Sequence, residues 1–183
     1  MIEATRRWIS SFVIGLNLCP FARRVFEAGL VRYAVTDAAD EAALLDALAR
    51  ELDALAQAPI SDVETTLLIH PRALADYLDY NDFLGEAERL LEERCHRGVI
   101  QIASFHPAYQ FAGTRPDALE NYTNRSPHPM LHLLREQSIT AVAGDPDALL
   151  EIPRSNVETL ERLGRRKVLQ MLAAVQDGLE RQT

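Results

Sequence analysis

Three short segments of extended character, Leu30 to Thr36 (LVRYAVT), Glu64 to His70 (ETTLLIH) and Val99 to Ser104 (VIQIAS), are separated by two long stretches whose apolar residues recur at helical spacing. The first stretch opens at Asp37 and carries Leu44, Leu45, Leu48, Leu52 and Leu55 on one face. The second runs from Phe83 to Arg97, with Leu84, Ala87, Leu91 and Cys95 on one face, after a short helical piece around Ala73 to Leu78. A helical crossover brings the chain back to begin its next strand in the same direction, so the alternation predicts a βαβαβ unit. The expected fold class is α/β: a small, mainly parallel sheet of three or four strands, flanked by helices, with helical N- and C-terminal segments.

The terminal segments carry their own punctuation. Ala4, Trp8, Ile9, Phe12 and Val13 mark a first helix that Gly15 would stop in a left-handed conformation. Pro20 suits the first position of a second helix, Phe21 to Ala28, closed by Gly29, which makes Cys19 its N-cap. Phe105 to Arg125 has no period, and so long an irregular stretch inside a domain is expected to be functional. Ser126-Pro127 reads as an N-cap and first turn of a helix reaching about Gln137, and Ser138 to Gly144 reads as either a helical turn or an edge strand. Asp145-Pro146 opens another helical turn. Ser155 to Glu158 reads as the capping box of a last helix whose stripe is Val157, Leu160, Gly164, Val168, Met171, Val175 and Leu179, with Gly164 allowing close packing.

Composition narrows the functions. With 183 residues, 48% of them hydrophobic, and no low-complexity linker, the chain reads as one domain spanning 1–183. Its 27 Asp+Glu against 19 Lys+Arg give a net charge of −8, which disfavours nucleic acid and anionic membrane surfaces as partners. No stretch approaches the ~18 apolar residues that a bilayer span requires. Two cysteines make no disulfide framework and the first residues lack the apolar core of a secretory signal, so a cytoplasmic protein is expected. Nothing matches a P-loop, a dinucleotide fingerprint or a zinc ribbon.

In a parallel sheet, ligands bind beyond the carboxyl ends of the strands. That edge should collect His70 and His106 at strand ends, Cys19 at a helix N-terminus, and Asn124, Arg125, Ser126 and His128 ahead of the next helix. Cys19 at a helix start, with Arg23 and Arg24 near it, suits a thiolate nucleophile, and His106 suits a general base. Asn121 to Ser126, leading into a helix, suits capture of a phosphate or carboxylate, with Tyr109 and Gln110 as further polar groups. His128 and His132, four apart on one expected helix with Arg135 beyond, could share a metal with His106.

The stretches NLCPFAR (Asn17 to Arg23), ASFHPAYQFAG (Ala103 to Gly113), NYTNRSPHPMLHLLRE (Asn121 to Glu136) and SNVETLERLG (Ser155 to Gly164) resemble a bacterial family catalogued as domain of unknown function 1415, over essentially the whole chain. The resemblance implies a stand-alone bacterial protein. It brings no catalytic residue with it, but its motif blocks contain Cys19, His106, Tyr109, Gln110, Asn121, Asn124, Arg125, Ser126, His132 and Arg135. Three readings follow. The first is an enzyme performing acyl or phosphoryl transfer or hydrolysis on a small anionic metabolite, with Cys19 as nucleophile and His106 as base; Arg23, Tyr109, Gln110, Asn121, Asn124, Arg125, Ser126 and Arg135 would bind the substrate. The second is a Zn- or Fe-dependent hydrolase or oxidoreductase using His106 and His132. The third is a non-catalytic module that binds an anionic ligand or a protein.

Overall fold

A computed structural model describes residues 1–143 and 146–177. The chain order is α1 (Ile2–Arg7), a π-helix (Trp8–Ile14), α2 (Ala22–Glu27), β1 (Val31–Val35), α3 (Glu41–Gln57), β2 (Thr65–Ile69), α4 (Tyr77–Glu93), β3 (Ile100–Phe105), a 3₁₀ helix (Leu119–Thr123), β4 (Met130–Arg135), α5 (Glu136–Ala143), α6 (Pro146–Leu163) and α7 (Arg165–Asp177). Helices on both faces of one four-stranded sheet make this an α/β fold. Among the described residues, no helix is long and apolar enough to cross a membrane.

The strands lie in the order β1-β2-β4-β3. β1 and β2 are parallel, with Val31 opposite Thr65, while β4 runs antiparallel to both β2 and β3. The sheet is therefore mixed, which corrects the mainly parallel expectation. The three strands foreseen from the sequence do point the same way, and β4 is wedged between the last two. The error lies in Met130–Arg135, read as part of a helix. A strand covered on both faces reads as an almost continuous apolar run, and MLHLLR fits a helical stripe as well as a strand. The prolines decide it: Pro127 and Pro129 each push the preceding residue toward extended backbone, and Ser126 turns its hydroxyl to the carbonyl of His128 (2.7 Å) instead of capping a helix.

Alternation along the strands feeds two cores. Leu68, Leu131 and Leu133 face α3 and α4, where Leu44, Leu48, Leu52, Tyr80, Phe83 and Leu91 are buried. Leu67, Ile69 and Met130 face the π-helix, α6 and α7, against Trp8, Phe12, Leu160, Val168 and Val175. Asp40 and Asp76 cap α3 and α4 by accepting from the amides of Ala43 and Leu78, both at 2.8 Å.

Several boundaries move. The left-handed stop of the first helical segment is Asn17 (φ 54), while Gly15 stays right-handed (φ −59). α6 passes straight through Pro153 and the expected capping box, and Gly164 (φ +82) breaks it from α7. Gly164 thus marks a turn rather than a close approach; the expected last helix is two, and Leu179 lies outside the described residues, as do Gly144 and Asp145. The segment after β4 is helical as α5.

Candidate functional site

On the second-core face, Val31, Thr65, Leu67, Phe105, His132 and Leu134 form a floor. Trp8, Ile9 and Val13 of the π-helix, the Cys19–Val25 segment, and Ser138 and Ile139 of α5 form the walls over it. The cavity between them, partly open to solvent, measures about 110 Å³. A dry engineered cavity of about 150 Å³ holds a benzene molecule, so this one suits a ligand of about four to six non-hydrogen atoms. Near its edge Glu64, only 4% exposed, is paired with the half-exposed guanidinium of Arg24.

His132 sits in the middle of β4, opposite Leu67 of β2 and Ala103 of β3. Thr65 Oγ1 lies 2.7 Å from His132 Nε2 and 2.6 Å from the carbonyl oxygen of Leu133. A carbonyl only accepts, so the single hydroxyl proton of Thr65 goes to Leu133, and His132 Nε2 must carry a hydrogen and donate to Thr65. The imidazole is neutral, because burial pushes its pKa down to about 4. Nδ1 then keeps a free lone pair.

Cys19 forms part of the cavity wall. Burial raises its pKa, and the backbone N–H groups of Phe21 and Ala22 offset that only partly, so it is a thiol at neutral pH. It precedes Phe21, the N-cap of α2, a helix of only six residues. Among the described residues no imidazole is hydrogen-bonded to it. Two polar atoms on lining residues, Trp8 Nε1 and Ser138 Oγ, are sealed without a partner.

The expected partner of Cys19 is elsewhere. His106 lies against α4 on the opposite side of the sheet, its ring 5.1 Å from that of Tyr80 and 5.5 Å from that of Tyr77. The amide of Ala108 donates to its Nδ1 (3.0 Å), which leaves Nε2 protonated and donating to the carbonyl of Leu74 (3.2 Å). Both ring nitrogens are thus engaged on a side chain only 1% exposed, so neither a free base nor a free ligand nitrogen is presented. The joint metal site with His132 fails for the same reason. His128 precedes β4 rather than sharing a helix face with His132, and among the described residues no three His, Cys, Asp or Glu side chains gather to hold a metal ion.

The expected anion pocket is a folded loop. Asn121 is fully buried; its Oδ1 accepts from the Phe111 amide (2.9 Å) and the Thr114 hydroxyl (2.8 Å), and its Nδ2 donates to Arg115 (2.8 Å). Asn124 Nδ2 donates to the carbonyl of Ser104 (3.2 Å), and Gln110 Nε2 to that of Thr114 (2.7 Å). Arg125 stacks 4.1 Å over the Tyr122 ring and gives its hydrogens to the carbonyls of Tyr109 and Pro116. With Ser126 bonded to His128, these side chains order the 105–125 segment. Arg23 is exposed and pairs with Glu27 at 3.5 Å. Arg135 is buried at the far end of β4, where it donates to the carbonyls of Leu55, Ala58 and Val63 and so closes the C-terminus of α3.

A family model described as "Protein of unknown function (DUF1415)" matches residues 1–170. The chain belongs to the DUF1415 family. Neither a curated protein nor a solved structure matches it. The cavity of this DUF1415 protein draws Cys19 and His132 from the motif blocks, but also Trp8, Thr65 and Ser138, which sequence reasoning passed over. A single tryptophan on an apolar helix face and a threonine in a strand are ordinary core residues in one dimension. Only the carbonyl of Leu133, which no pattern reveals, makes Thr65 informative.

Proposed function

We propose that the protein binds a small, uncharged, largely apolar molecule in the cavity between the π-helix and the sheet. The supporting observation is the cavity itself: a pocket of about 110 Å³ lined mostly by apolar side chains, with Cys19, Thr65 and His132 among the few polar groups on it. Such pockets, mostly apolar with a few convergent polar groups, are the usual form of a small-molecule site. The reading is a version of the non-catalytic alternative, with the anion replaced by a neutral ligand. An anion would meet the buried carboxylate of Glu64, while the arginines nearest to it in the earlier expectation are paired with carboxylates or with carbonyls. A thiol whose pKa is raised by burial and that lacks a bonded base also weighs against nucleophilic catalysis.

Protection of Cys19 against alkylation tests the proposal, with Cys95, which is exposed, as internal control. A panel of uncharged molecules of about four to six non-hydrogen atoms should contain members that slow labelling of Cys19 severalfold and leave Cys95 unchanged. Val31→Trp, which fills the cavity, should remove that protection. Protection by carboxylates or phosphates of the same size, with none from neutral molecules, would overturn the proposal and restore the anionic metabolite.

A further inference from the structure

We infer that the ligand of this cavity is a hydrogen-bond donor, a small molecule with an aliphatic or aromatic body and one hydroxyl group directed at His132 Nδ1. The inference rests on the cavity being the binding site and specifies the chemical class that it selects. Its basis is the proton arrangement around Thr65. Because the Thr65 hydroxyl proton is held by the Leu133 carbonyl at 2.6 Å, the 2.7 Å contact to His132 locks the imidazole with hydrogen on Nε2. Nδ1 is then an acceptor with no hydrogen-bond partner among the described residues, on a side chain that lines the cavity and is only partly buried.

The remaining groups point the same way. Thr65 Oγ1 has spent its only hydrogen, and the Glu64 carboxylate is a further acceptor. Of the lining side chains, Arg24 and Cys19 also carry hydrogens, but the Arg24 guanidinium is paired with Glu64, so the polar atoms of the sheet floor, His132 Nδ1 and Thr65 Oγ1, are the ones that offer lone pairs. A carbonyl or ether oxygen placed among them would lose its hydrogen bonds to water and face another lone pair, whereas a hydroxyl would replace its water bond with one to Nδ1. An ammonium group would also donate, but it would carry a charge into an apolar space.

Cyclopentanol and cyclopentanone share a five-carbon ring and differ in whether the oxygen donates, so their dissociation constants, measured by NMR titration of the intact protein near neutral pH, separate the alternatives. Cyclopentanol should bind about tenfold more tightly, the scale of one buried hydrogen bond, and should shift the nitrogen resonance of His132 Nδ1. Thr65→Val, similar in shape, frees the imidazole to place its hydrogen on either nitrogen. In that variant the preference should shrink toward equality through tighter ketone binding. The comparison of the two ligands on the unaltered protein needs no variant and stands if Thr65→Val does not fold. Equal binding, or tighter binding of the ketone, by the unaltered protein would overturn the donor assignment and leave the cavity proposal intact. Failure of both molecules to bind or to protect Cys19 would overturn the cavity proposal and this inference with it.

Discussion

A thiol reacts as its thiolate, so its rate of alkylation follows both its pKa and its access to solvent. Cys19 sits in a cavity wall where burial raises its pKa. Cys95 is exposed at a left-handed position (φ 58) just beyond the end of α4 at Glu93. Iodoacetamide at pH 8 is therefore expected to label Cys95 at least about tenfold faster than Cys19, as follows from restricting both thiolate fraction and access. Peptide mass spectrometry over a time course reads this directly, and a faster Cys19 would contradict the buried thiol. The neighbourhoods in sequence suggested the reverse. Cys95 falls on the apolar stripe of its helix only if the helix continues to Arg97, and Cys19 caps a helix only if that helix takes Pro20 as its first residue, whereas α2 begins at Ala22. Each residue's chemistry turned on one helix boundary, the least legible feature of any sequence.

At the scale of elements, the π-helix shapes the cavity wall, since the wider winding of Trp8–Ile14 carries Trp8, Ile9 and Val13 over the sheet. Gly15 closes that winding, and a Cβ there would overlap the carbonyl oxygen of Ser11 and lie 2.9 Å from its carbon. Gly15→Ala should therefore destabilise the fold by about 1–3 kcal/mol, the usual cost of overpacking. Gly85 is a matched control: it lies within α4 with nothing within 4 Å of an added Cβ. Gly85→Ala should stabilise by about 0.5–1 kcal/mol through helix propensity alone. Urea unfolding of both variants checks the pair, and equal effects would remove the special role of the π turn. The π winding itself was invisible in the sequence, where apolar residues at spacings of three and four fit an α-helix. β4 was invisible for the opposite reason. Burial on both faces removed the alternation that exposes a strand, and the residues that reveal it, Pro127 and Pro129, act on backbone torsions rather than on hydrophobic pattern.

At the scale of the whole molecule, two histidines have their pKa values lowered furthest by burial, one on each side of the sheet. His132 borders the cavity. His70 is fully buried beside Tyr80, with Nδ1 on the carbonyl of Ala73 (3.1 Å) and Nε2 unpaired. Burial pushes each pKa from 6.5 down to about 4. Below the ordinary histidine range the unfolded chain binds these two protons while the native state refuses them. Stability should therefore be full above about pH 6.5 and fall as the pH drops toward 4, with each histidine removing about 2 kcal/mol by pH 5. Urea midpoints at pH 7 and pH 5 test this, and His70→Gln should lower the difference between them by that residue's share of about 2 kcal/mol, while His106 and His128, whose pKa values burial also lowers, keep theirs. A difference unchanged by that substitution would show that other groups carry the acid sensitivity.

The sequence by itself determined the three co-directional strands, the two long helices that cross over them and the left-handed turn at Gly29, because these rest on local periodicity and on backbone torsions that single residues dictate, whereas the caps Asp40 and Asp76 lie away from the helix starts expected at Asp37 and Phe83. It also marked Cys19 and His132 as residues to watch. The tertiary structure alone decided which polar side chains share a space. Inserting β4 between β2 and β3 put His132 beside Thr65, while His106, one residue past β3, packs against α4 on the other face and Arg125 and Asn121 order their own loop. A side chain's hydrogen-bond partners are set by contacts between residues far apart in the chain, 67 positions for Thr65 and His132, and neither composition nor spacing carries that information.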